Sequence, residues 1–217
     1  MARSEEYPDN PAPELVAAGA TLAEIEAVAE GCRSCHLYRN ATQTVFGSGA
    51  ARAAMVLVGE QPGDKEDLAG EPFVGPAGRL LDEALVEAGI DRDSTYVTNV
   101  VKHFKWKTGA SPSKPRLHAK PNRAEIGACR PWLDAELTRL DPDVVVCLGA
   151  TAAQAILGQD FRVTRDHGQP LDIDGRVFVA TLHPAAVLRA RGEDGRRRSR
   201  AQLVDDLRVA ADVMSRA

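Results

Sequence analysis

Aromatic side chains are scarce in this 217-residue chain: five Phe, three Tyr and two Trp make up 5% of it. A core with so few rings must be built from aliphatic residues. Long apolar runs are missing too. The longest, around Val144–Ala153, falls far short of the ~20 residues that a bilayer-spanning helix needs. The opening Met1–Glu6 is acidic and lacks the apolar stretch of a secretory leader, so a cytoplasmic protein with no membrane partner is expected. There is no excess of positive charge. The net charge of −4 argues against a nucleic-acid partner if the chain is taken as a whole. Cysteine is limited to four residues, and a disulfide framework is not expected in a cytosolic chain of this size.

What is present is an alternation of two patterns. Ala54–Gly59 and Asp143–Gly149 are short apolar runs ending in glycine, as buried parallel strands do, and Ser94–Val101 and Val177–Leu182 are strand-like as well. Between and around them, Thr21–Glu30, Pro76–Ala88, Ala150–Leu157 and Ala201–Met214 carry helical periodicity. Asn122 is placed to cap a helix running to about Leu140, and Pro131 within it predicts a kink or a break into two pieces. Residues 1–20 read as a loosely packed segment, 102–121 as a long basic loop, and Arg189–Arg200 as a charged linker. The order of elements predicts one α/β domain over residues 1–217, a three-layer α/β/α arrangement around a central, mostly parallel four-stranded sheet. Nothing in the pattern demands an oligomer, and a monomer is expected. Ligands in such sheets gather at the carboxyl ends of strands. Three strands end at Gly59-Glu60, at Asn99 and just before His183, so Glu60, Asn99 and His183 are expected to share one crevice.

Charge and cysteine are both unevenly placed. Residues 1–30 hold seven acids and one base, whereas residues 94–124 hold seven Lys or Arg and no acid. A local field of that kind can bind phosphates whatever the net charge, although a solvated loop has the same composition. Cys32-Arg-Ser-Cys35 is a chelating pair, with Cys129 and Cys147 far along the chain. Four thiolates suit a 4Fe–4S cluster or a structural zinc. Core cysteines with an incidental pair, or a redox pair, fit the spacing as well.

Three segments together, Gly59-Glu60-Gln61-Pro62-Gly63-Asp64, Glu71-Pro72-Phe73-Val74-Gly75-Pro76-Ala77-Gly78 and His183-Pro184, resemble the uracil-DNA glycosylase superfamily. With the four cysteines, the chain is similar to its iron–sulfur branch, the family-four and related enzymes. Lys114-Pro115-Arg116-Leu117-His118 resembles the Lys-Arg-Arg-Ile-His loop of the UdgX type, in which the loop histidine attacks the sugar and remains bound to DNA. Asn99–Lys105 and Gln61 strengthen that likeness. The chain departs from the pattern at Pro115, at Leu117, and at Ala185-Ala186, where a serine is usual.

The resemblance implies roles. Phe73 stacks on a flipped uracil, Asn99 reads its O4 and N3 edge, and His183 donates to O2 as negative charge develops there. Gly59 and Gln61 face the uracil pocket. Glu60 orients water in a hydrolytic enzyme, or takes or orients the proton of His118 in a covalent one, and Asp64 supports it. His118 is the implied nucleophile at C1′. Lys114, Arg116 and Lys120 hold phosphates. Cys32, Cys35, Cys129 and Cys147 ligate a 4Fe–4S cluster, beside which His36 is placed. The implied partner is uracil-containing DNA, expected to be single-stranded. Two other readings stand beside covalent capture: ordinary hydrolytic excision, and a non-catalytic iron–sulfur module that binds DNA.

Overall fold

A computed structural model describes residues 9–111 and 114–215. In chain order the helices are α1 (Ala12–Ala17), α2 (Leu22–Ala29), α3 (Asp64–Ala69), α4 (Pro76–Glu87), α5 (Arg123–Leu140), α6 (Ala150–Leu157), α7 (Val163–Asp166), α8 (Pro184–Arg189) and α9 (Gly192–Met214). The strands are β1 (Ser48–Gly49), β2 (Met55–Gly59), β3 (Thr95–Asn99), β4 (Trp106–Ser111), β5 (Lys114–His118), β6 (Val144–Leu148), β7 (Leu171–Ile173) and β8 (Arg176–Thr181).

Every residue of β2, β3 and β6 is buried, because helices cover both faces of the sheet they form. The order is β1-β3-β2-β6-β8-β7. The four expected strands are its parallel centre, and β1 and β7 add antiparallel edges of two and three residues, too short to leave a pattern in the sequence. Alternation along each strand sorts the side chains. Val56, Val58, Val145 and Cys147 join the core under α1, α2, α5 and α6, while Leu57, Val144, Val146 and Leu148 join the one under α4, α8 and α9. No helix among the described residues is long and apolar enough to cross a membrane.

The structure departs from the sequence-based expectation in four places. The basic loop is instead a β-hairpin, β4–β5, separate from the main sheet, with Trp106 opposite His118 and Thr108 opposite Arg116. Its Lys, Ser, Gly and Pro content carries no strand-like apolar pattern. Helix α5 runs unbroken through Pro131. The carbonyl that loses its donor there is that of Gly127, which is exposed and can be hydrated. The charged linker is helical from Gly192, with Glu193 and Asp194 in the favoured first turn and Arg200 paired to Glu87. Residues 12–17 are not loose: Ala12 is fully buried, and the Asn10 side-chain amide donates to the Ala128 carbonyl at 3.0 Å. Residues 1–8 lie outside the described residues.

One polar cluster sits within the α5-side core. Lys102 and Glu136 are both fully buried, 2.5 Å apart. Lys102 Nζ also donates to Thr98 Oγ1 at 2.6 Å and to the Asn99 carbonyl at 2.9 Å. Glu136 further accepts from the Gly47 N–H, the Tyr96 hydroxyl and the Thr98 hydroxyl. A buried ion pair tolerates the loss of its water only when satisfied in this way. Lys102→Met alone leaves a buried, unpaired carboxylate and is expected to cost about 3–5 kcal/mol. Adding Glu136→Gln is expected to recover most of that loss in urea unfolding.

Candidate active site

The carboxyl ends of β2, β3, β6 and β8 open into a cavity of about 470 Å³, lined by Glu60, Phe73, Asn99, His118, Thr151 and His183 among others. Its size is that of a small-molecule site. Glu60, Asn99 and His183 do meet there, as the strand ends imply.

Gly59 pairs in register with Asn99 across β2 and β3. A Cβ on Gly59 would stand 2.4 Å from Asn99 Oδ1 and 2.7 Å from Phe73 Cζ, so only glycine lets both groups close over the strand end. Phe73 takes a positive φ of 60°. A Cβ on Gly78 would lie 1.4 Å from the Phe73 carbonyl oxygen, so glycine at the start of α4 lets that backbone pass. The Glu66 carboxylate holds the two cavity loops together, accepting from Gly63 N at 3.1 Å and Gly75 N at 2.8 Å.

His183 caps α8: its Nδ1 accepts from the Ala185 N–H at 3.1 Å, which leaves Nε2 to carry the proton of the neutral ring. Burial pushes its pKa down to about 4, with Arg189 and His118 adding to the shift, so the ring is a neutral donor at pH 7. The Phe73 ring stacks beside it, centroids 6.1 Å apart.

His118, at the end of β5, is half-exposed at the mouth of the cavity, its Nε2 3.4 Å from Glu60 Oε1. The other carboxylate oxygen of Glu60 accepts from the Thr151 hydroxyl on α6. Burial pulls the His118 imidazole below its ordinary pKa; Glu60 opposes that shift and Arg189 reinforces it.

The hairpin that carries His118 is fastened by residues for which the sequence suggested other work. Gln61 lines the cavity, but its amide is turned onto the hairpin roots, donating to the carbonyls of Lys105 at 3.1 Å and Ala119 at 3.2 Å. Arg116 is not free for phosphate: it pairs with Asp64 at 2.6 Å and Asp67 at 2.5 Å, with the Phe104 and Trp106 rings beside it. Asp64 accordingly supports the hairpin rather than Glu60. Lys120 lines the cavity, whereas the side chain of Lys114 lies outside the described part of the structure.

The model of the Uracil DNA glycosylase superfamily matches residues 46–208. The chain belongs to this superfamily. Its relatives include type-4 uracil-DNA glycosylases from Thermotoga maritima, 39% identical over 168 residues (76% of this chain, 82% of the relative), and Archaeoglobus fulgidus, 38% over 165 residues (72% and 78%). Another, from Pyrobaculum aerophilum, is 34% identical over 179 residues (77% and 85%).

In this superfamily member all four cysteines are buried in the α5-side core. Trp132 Nε1–H donates to Cys32 Sγ at 3.2 Å, and the Lys102 N–H to Cys129 Sγ at 3.1 Å. Cys32, Cys35 and Cys129 are close enough for each charge to disfavour the next, and burial pushes Cys35 up to about 11 and Cys129 to about 12. Among the described residues, no group of three or more His, Cys, Asp or Glu side chains is arranged to hold a metal ion. His36 pairs with Glu125 at 3.2 Å, on the turn of α5 before Cys129.

Sequence reasoning missed Thr151, Glu66 and Arg189. Thr151 follows Gly149 at the end of β6, where the strand-end rule could have found it. Nothing marks Glu66 or Arg189 apart from other exposed-looking charges.

Two histidines, the buried His103 and the half-buried His183, set an acid limit on stability. Burial also lowers His103 to about 4, and its Nε2 lies 3.0 Å from Thr44 Oγ1. The unfolded chain protonates both His103 and His183 near 6.5 while the folded protein does not, so their contribution is present above 6.5 and is lost as pH falls toward 4. The unfolding free energy from urea titrations is expected to drop between pH 7 and pH 5, by about 2 kcal/mol for each histidine. His103→Gln is expected to reduce that slope.

Proposed function

We propose that this protein excises uracil from DNA and remains covalently attached to the resulting sugar through His118. Kinship with the type-4 enzymes supports the base and the polymer. The observation that supports capture is the placement of a neutral imidazole on a fastened hairpin, 3.4 Å from Glu60 and across the cavity from His183.

The uracil nucleotide turns out of the strand into the cavity. A single strand avoids the cost of opening a duplex, about a few kcal/mol, and is the substrate we infer. Phe73 stacks on the base and the Asn99 amide meets its polar edge. As the C1′–N1 bond breaks, its electron pair leaves with uracil, and the His183 Nε2–H stabilises the negative charge gathering on O2. An imidazole nitrogen of His118 then bonds to C1′, which is positively charged at that moment. Glu60 balances the sugar charge and shares the proton released from the alkylated ring. The N-alkyl imidazole is a poor leaving group, so the protein acts once. The whole chain acts as a single domain, a monomer in the cytoplasm.

We infer a 4Fe–4S cluster held by Cys32, Cys35, Cys129 and Cys147. The all-sulfur donor set, its burial in one core and the two N–H donors aimed at sulfur suit such a group, and kinship with the type-4 enzymes favours it over a lone zinc. When bound, the cluster supplies a rigid covalent tie; uracil excision moves no electrons through it. The tie joins the segment after α2, helix α5 and β6.

The test is a denaturing gel of the protein mixed with a labelled, uracil-containing single-stranded oligonucleotide. A band that survives denaturant is expected from the native protein, none from His118→Ala, and one forming about 100-fold or more slowly from Glu60→Gln. Free DNA carrying an abasic site from both the native protein and His118→Ala would mean hydrolytic excision with Glu60 orienting water. Binding without release of uracil would mean a non-catalytic module.

A further inference from the structure

A second hollow adjoins the cavity. It is a groove of about 580 Å³ between the first half of α5 and the last turn of α6. Lys120 and Thr151 line both hollows, so the groove opens from the rim of the cavity. The Thr151 hydroxyl is bonded to Glu60, the acid that faces His118, and the groove therefore begins one side chain away from Glu60.

The groove carries charge of one sign. Lys120, Arg123 and Arg130 line it, and no Asp or Glu does. Arg130 is spent on Asp134 at 2.6 Å and on the Ala155 carbonyl. Lys120 and Arg123 are exposed, and among the described residues no carboxylate pairs with either. Glu125, two residues after Arg123, is fully buried and takes Lys105 at 2.8 Å and the Asn122 N–H at 2.6 Å instead. Ile126 and Ala155 give the groove apolar surface. Gly127 leaves room in it, since a Cβ there would meet nothing within 4 Å. Two unneutralised cations and an apolar surface, continuous with a nucleotide-sized cavity, match the alternating phosphates and bases of a strand.

We propose that this groove is a second nucleotide subsite. It receives the neighbour of the nucleotide in the cavity, with Lys120 and Arg123 on the phosphates that flank it and its base against Ile126 and Ala155. This rests on the reading that the cavity takes a nucleotide of DNA. Contacts to phosphate and to the face of a base carry no sequence information, so the subsite accepts any neighbour. A strand held here as well as in the cavity has its sugar fixed, and C1′ is presented to His118 in one orientation.

The experiment compares strands of different reach. Each labelled single strand carries one 2′-fluoro-2′-deoxyuridine, whose glycosidic bond resists cleavage. The short probe has one nucleotide on either side; two longer probes add four more on the 5′ or on the 3′ side. Binding of the full-length protein is followed by fluorescence anisotropy across a salt series. Extension on one of the two sides is expected to tighten binding by roughly tenfold and to steepen the salt slope by about 1.4, or 0.7 for each of two phosphates. Arg123→Gln is expected to lose about half of that added slope, and Gly127→Glu, which puts a negative charge into the open groove, the whole gain. Both should bind the short probe as the native protein does and keep its melting temperature, since a side chain at Gly127 enters empty space and suits a helix better than glycine. Arg52→Gln, an exposed charge before β2 at the far end of the sheet, is expected to match the native protein throughout. No gain from either extension in the native protein would overturn the proposal, and so would a full gain in both Arg123→Gln and Gly127→Glu. A native protein that binds the short probe no better than its thymine counterpart would remove the glycosylase reading on which the proposal rests.

Discussion

The buried pair of Lys102 and Glu136 is the constraint around which this molecule is arranged. Both side chains sit at zero exposure, and among their close partners is the backbone of Asn99, a residue that lines the cavity. Lys102 Nζ holds the carbonyl of Asn99, and the Lys102 N–H meets Cys129 Sγ. Backbone bonds from Val100 and Val101 to Gly59 and Glu60 fasten the same segment to the loop after β2. Three residues further on, Lys105 leads into the hairpin, held by Gln61 and Glu125. One short stretch, 99–105, thus ties the Asn99 strand end, a cysteine of the sulfur-rich core and the arm bearing His118. Its rigidity follows from the cost of moving an ion pair that has no water to fall back on.

The site gains from the opposite treatment of its histidines. His183 is half-buried and fixed in one tautomer by a helix-cap bond, which suits a hydrogen-bond donor that must not carry charge of its own. His118 is half-exposed and reaches the cavity only because its hairpin is anchored from below by Arg116 between Asp64 and Asp67. Motion of that hairpin would carry His118 away from Glu60 while leaving Phe73, Asn99 and His183, which stand on other elements, in place.

The sheet was legible because strands buried on both faces must be apolar throughout, as Met55–Gly59 and Val144–Leu148 are. Their ends announced the crevice, and Glu60, Asn99 and His183 meet in it. The hairpin was not legible, since a two-stranded arm away from the core needs no apolar face. Its strands are stabilised by the Arg116 ion pairs, which couple residues 49 and 52 positions apart. Gln61, Asp64 and Arg116 each lie in or beside a motif suggestive of direct contact with DNA or base, yet each helps to fasten the hairpin. Sequence shows which residue types are grouped; it does not show which charges are already neutralised.

Peptide mapping tests the central claim most directly. The protein is incubated with a uracil-containing single-stranded oligonucleotide, digested with protease and nuclease, and examined by mass spectrometry. The account predicts free uracil in solution and a His118-bearing peptide enlarged by a deoxyribose fragment bonded to the imidazole. An unmodified His118 peptide alongside DNA with a free abasic site would contradict it and leave Glu60 and a water molecule to do the work.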